Sequence, residues 1–174
     1  MIYSRNYARM FVTLKQEISE YSYDFKEAMG RCVIEVRFGK GRFSTYIQGL
    51  RKGDYSIFFI SCKGGRNIGV NMGKISADLG GKGELKTEFD PENIFGTKLK
   101  IEDFHVVAIM PFESATVKAL LTGYVGGAVQ WKEGFSFFKA NDGDSFEAAK
   151  EESISESREE TESDFSGNLK DSQD

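Results

Sequence analysis

Between Gly41 and Phe89 the chain reads GRFSTYIQGLRKGDYSIFFISCKGGRNIGVNMGKISADLGGKGELKTEF, short apolar runs cut repeatedly by glycines and charged turns. Val, Ile, Tyr, Phe and Thr suit a pleated, half-buried surface, and glycine supplies the positive φ that tight hairpins require. Tyr55, Ile57 and Phe59 fall on one alternation of the run Tyr55–Cys62, and Phe58 and Ile60 on the other. Both sets are apolar, which predicts a central strand covered on both faces.

The flanking sequence continues the pattern. Tyr7–Leu14 predicts a first strand, with Met10, Val12 and Leu14 on one face. Lys15–Gly30 reads as a long connection, with room for a short helix over Asp24–Met29. Arg31–Phe38 alternates, with Cys32, Ile34, Val36 and Phe38 toward the core and Arg31, Val33, Glu35 and Arg37 away from it. Gly39–Gly41 is the expected turn into Arg42–Gln48. The segment Asn67–Asp78 is expected to bend at Gly69 or Gly73, and Lys82–Phe89 to present Leu85, Thr87 and Phe89 on one face. Asp90–Ile94 predicts a single helical turn capped by Asp90, with Pro91 at its first position. His105–Pro111 predicts a second central strand and Val117–Val125 the next; Ala128–Lys139 fits an edge strand or a connector equally well. About eight short strands at this turn spacing imply an all-β fold, an antiparallel β-sandwich or barrel with Greek-key-like winding.

Charge divides the chain. Residues 141–174 carry 12 acidic and 3 basic side chains, net −9, leaving 15 acidic and 20 basic in residues 1–140, net +5. The expected organisation is a globular domain over 1–140 and a disordered Ser/Glu-rich acidic tail or linker over 141–174, where too little apolar surface is present to offset chain entropy. A tail of that charge is expected to screen the basic domain, so its removal should increase binding to polyanions. The N-terminus has no apolar stretch of signal-peptide length, and no run approaches the length of a membrane span. A cytoplasmic protein without membrane contact is the expectation. Cys32 and Cys62 then read as buried free thiols, a bridge between them being open only if their strands face each other closely.

Several chemistries find no support. One histidine and two distant cysteines do not make a zinc or copper site, and no metal or cofactor is expected. The strand-and-turn rhythm is similar to copper–zinc dismutase-like sandwiches, whose ligand histidines are absent here. His105 follows Glu102-Asp103-Phe104, but no serine or cysteine sits in a nucleophile motif, so the histidine reads as a strand residue satisfied by backbone or by Asp103. Gly64-Gly65 and Gly80-Gly81 precede no helix and read as hairpin glycines rather than phosphate loops. The chain is expected not to be an enzyme.

What is left is binding. The leading expectation is a non-catalytic interaction or structural module with a protein partner. The alternative is a binding module for a polyanion, nucleic acid or glycan. Its candidate contacts are the basic residues at or near turns, Arg37, Lys40, Arg42, Arg51, Lys52, Lys63 and Arg66, if winding gathers them at one end with Tyr46 and Tyr55 for stacking, and an exposed aromatic platform around Trp131.

From Tyr7 to about Tyr124 the chain resembles a β-domain family of unknown function from clostridia and related Firmicutes. The resemblance rests on YARMFVTLKQE, GRCVIEVRFGKG, TYIQGL, MGKISADLGGKG, FDPENIFGT and IEDF. It implies a domain followed by a Ser/Glu-rich linker leading to a further C-terminal region, and it implies no catalytic residue.

Overall fold

The computed structural model describes residues 7–139. Nine strands form: β1 (Tyr7–Gln16), β2 (Met29–Arg37), β3 (Lys40–Gln48), β4 (Gly53–Ser61), β5 (Asn67–Ala77), β6 (Gly83–Phe89), β7 (Phe104–Pro111), β8 (Leu121–Tyr124) and β9 (Phe135–Phe137). They make one sheet in the order β6-β3-β2-β1-β8-β7-β4-β5-β9, antiparallel except for the β5–β9 pair. The sheet curls into a half-barrel. The turn Asp78–Lys82 joins β5 to β6, and the two strands meet through Leu85 against Gly73 rather than through a hydrogen-bonded ladder. Around the curl the strands run 1-2-3-6-5-4-7-8, a crossed, Greek-key winding. The all-β expectation holds, with one parallel pair and a ninth strand added. The acidic stretch 141–174 lies outside the described residues.

The two alternations of β4 explain why two cores exist. Tyr55, Ile57 and Phe59 point to the concave side, joining Leu14, Ile34, Phe43, Ile75 and Ile109. There Phe59 packs on Phe43, Phe89 and Phe104 with ring centroids 5.2, 6.5 and 6.0 Å apart. Phe58 and Ile60 point outward and meet Val106, Ala108 and Met110 of β7 in a second, smaller core, closed by Trp131. Each fully buried Phe or Ile contributes roughly 1.5–3 kcal/mol, so both cores matter to stability.

Several local expectations are corrected. The β2–β3 turn is Phe38–Gly39, one residue earlier than Gly39–Gly41, because Arg37 pairs with Lys40 and both turn residues are left-handed. Phe38 is therefore exposed rather than in the core. No helix forms over 24–29; Asp24 and Phe25 have φ of 54° each. Asp90 Oδ1 accepts the Glu92 N–H at 2.9 Å in a turn, and the helical turns are 3₁₀ pieces at Ile94–Gly96 and Ile101–Asp103. The strand expected over Val117–Val125 is only Leu121–Tyr124. The bend in β5 falls at Gly73, where the register skips Met72 opposite Ile57 and Phe58. Cys32 and Cys62 are free thiols. No helix among the described residues is long and apolar enough to cross a membrane.

Candidate ligand-binding face

The basic turn residues do not gather at one end. Arg51 and Lys52 precede β4 and Lys63 and Arg66 follow it. Nine extended residues at about 3.3 Å each hold the two pairs roughly 30 Å apart at opposite ends of the barrel. Lys63 is engaged by Asp103 at 3.1 Å. Arg42 lies on neither end but on the outer face of β3. Tyr55 is buried and its hydroxyl donates to the Arg51 carbonyl at 2.7 Å, so it offers no stacking surface. Trp131 is 2% exposed, held edge-on by Phe135 at 5.5 Å, which excludes it as a platform. Its ring is the lid of the outer core.

No catalytic arrangement assembles around His105. Its Nδ1 accepts the Cys62 backbone N–H at 3.4 Å, the backbone satisfaction the sequence suggested. Asp103 turns elsewhere, accepting the Lys100 N–H at 2.9 Å and pairing with Lys63. Burial pushes the Asp103 carboxyl up, but these partners outweigh it and hold it below its ordinary value. Burial pushes the Cys62 thiol up, the opposite of an activated nucleophile. Among the described residues no group of three His, Cys, Asp or Glu could hold a metal. Gly64 and Gly65 sit with positive φ in the short 3₁₀ turn between β4 and β5, with no helix N-terminus beside them.

The residues that do come together lie on the convex side of β1, β2, β3 and β6. Alternation sends Cys32 and Ile34 inward, so Arg31, Val33, Glu35 and Arg37 must face out, and the ladder sets their neighbours. Arg9, Glu35, Arg42 and Glu88 form one row across the four strands. Phe11, Val33, Ser44 and Lys86 form the next, and Thr13, Arg31, Tyr46 and Glu84 the one after. Arg37 and Lys40 lie at one margin and Lys15 at the other. Phe11 is 67% exposed and carries the Arg9 guanidinium 4.9 Å above its ring; Arg31 lies 5.0 Å over Tyr46. Val33 and Ser44, with Arg9, Arg31, Arg42 and Lys86, line a shallow depression of about 200 Å³.

Charge on this face is lopsided. Its three carboxylates are engaged: Glu35 by Arg9 at 3.1 Å, Glu88 by Arg42 at 3.7 Å, and Glu84 by Lys86 at 3.2 Å. Lys86 and then the Tyr46 hydroxyl hold the Glu84 carboxyl below its usual range, and Glu84 in return raises Lys86. Among the described residues Lys15, Arg31, Arg37 and Lys40 make no ion pair. The outward alternation of Arg31 and Arg37 was readable from sequence. Their meeting with Arg9, Phe11 and Lys86 depends on strand order, for which the sequence carries no local signal.

Fold and face together define an all-β domain in which, among the described residues, one outer surface is covered by the chain itself and the other is not. The chain belongs to the family described as Domain of unknown function (DUF7922), whose model matches residues 6–131. No curated protein matches it.

Proposed function

We propose that this domain is a non-catalytic binding module and that its ligand is a polyanion lying across the outer face of β1, β2, β3 and β6. One observation carries the reading: among the described residues four cations of that face, Lys15, Arg31, Arg37 and Lys40, lack a carboxylate partner, while every acidic residue on it is engaged. Exposed cations around an apolar patch favour a multivalent anion over a neutral glycan, which would want unpaired acceptors as well. A polyanion also suits the spacing, because the margins holding Arg37 and Lys15 stand about 27 Å apart along the strands.

Binding of inorganic polyphosphate to the full chain, followed across salt concentration, tests this. Affinity should fall steeply with added salt. Replacing Arg31, Arg37 and Lys40 together by glutamate should abolish binding, whereas Arg51→Glu with Lys52→Glu should leave most of it. Equal loss in both variants, or no binding at low salt, overturns the proposal, and retention of a protein partner alone would turn the reading toward a protein-interaction surface.

A further inference from the structure

The open face offers more than charge. We infer that its ligand is a single-stranded nucleic acid, with the Arg9–Phe11 and Arg31–Tyr46 pairs as two base-stacking platforms; the inference rests on the polyanion reading above. A purely electrostatic surface has no use for a phenyl ring left 67% exposed on β1, beside the half-buried Val33. The chain covers the equivalent outer surface of β4 and β7 with Trp131 and β9, whereas Phe11 stays uncovered among the described residues. Single-stranded nucleic acid is the polyanion that also brings flat apolar faces, and bases stack on aromatic rings and on guanidinium planes alike.

The layout fits an extended strand. Phe11 and Tyr46 are two strands and two residues apart, about 12 Å, with the depression lined by Val33 and Ser44 between them. Each ring already holds an arginine, at 4.9 and 5.0 Å, which orients the guanidinium before any ligand arrives. Arg37 and Lys40 beyond one platform, and Lys15 beyond the other, stand where phosphates leaving the stacked bases would pass. A duplex buries its base faces and would engage the cations alone.

The experiment measures binding of a labelled oligothymidylate of about fifteen nucleotides, the scale of such sites, to the full chain by fluorescence anisotropy, with polyphosphate and duplex DNA as competitors. Phe11→Leu and Tyr46→Leu keep apolar bulk and remove the rings; thermal melting confirms that each variant folds. The inference expects a loss of roughly tenfold in oligothymidylate affinity for each substitution, against a much smaller change in polyphosphate affinity. It also expects duplex to compete poorly. If both leucine variants bind the oligonucleotide as the native chain does, or polyphosphate displaces it at equal charge, stacking is overturned while the polyanion reading stands. If neither anion binds, both fall together.

Discussion

Phe135 lies so close over Gly69 that a methyl group added there would stand 2.5 Å from the phenyl Cζ. That contact seats β9 on the edge of β5 and carries Trp131 over Phe58, Ile60 and Met110. It is the reason the convex surface of β4 and β7 is closed.

Gly69→Ala should therefore push the Phe135 ring outward, loosen β9 and let water reach Trp131. Overpacking of this kind costs about 1–3 kcal/mol. Trp131 is the single tryptophan of the chain, so its emission should shift to the red before global unfolding. Unchanged emission in a folded Gly69→Ala protein would show that the contact does not hold the lid.

The two halves of the sheet meet at a narrow join. β1 shares nine register pairs with β2 but only two with β8, Lys15 with Thr122 and Gln16 with Leu121. Gly123 sits beside that join, and a Cβ there would be driven into the Thr13 carbonyl oxygen and the Val12 side chain. Backbone cannot yield as a side-chain tip can. Gly123→Ala is expected to destabilise by about 3 kcal/mol, the upper end of overpacking effects, read as a lower urea midpoint. A midpoint within error of the native protein would refute it.

Phe38 offers the opposite case. With φ of 48° beside Gly39 at 78°, it occupies the first position of a two-residue hairpin turn that favours asparagine. Its ring is 71% exposed and touches Arg37 at 5.5 Å, an exposed cation–π contact worth about 0.5–1 kcal/mol. Relief of left-handed strain, about 1–2 kcal/mol, should outweigh that loss. Phe38→Asn is expected to raise the melting temperature by a few degrees; a decrease would mean that the aromatic contact dominates.

The same residue shows what the sequence could and could not reveal. Alternation assigned Arg31–Arg37 correctly, because burial on one face writes a period of two into any half-covered strand. It carried on through Phe38, since nothing local distinguishes an apolar turn residue from one more core position. Tyr55–Cys62 and His105–Pro111 were legible as doubly covered strands for the same reason that they hold two cores. Trp131 was not, because the segment around it has no period and is packed by contacts from β4 and β7. The open face was half legible: each strand announced its outward residues, but only long-range pairing places Phe11 beside Val33 and Tyr46 beside Arg31.

Alkaline pH should weaken the fold through Cys32. Burial in the main core pushes its thiol from 9.0 up to about 12, with the Thr45 hydroxyl, 3.3 Å from the sulfur, pulling weakly the other way. Above about pH 9 the unfolded chain releases this proton while the folded chain keeps it, so the deprotonated unfolded state gains. The contribution is fully present below pH 9 and is lost as pH rises toward 12, at up to about 1.4 kcal/mol per unit. Cys32→Ala removes the titration and leaves a small cavity, so the variant should be less stable than the native chain at neutral pH. Their urea midpoints should converge between about pH 9 and about pH 11, while the effects of tyrosines and lysines cancel in the difference. Midpoints that stay parallel across that range would mean the Cys32 proton is not held by the fold.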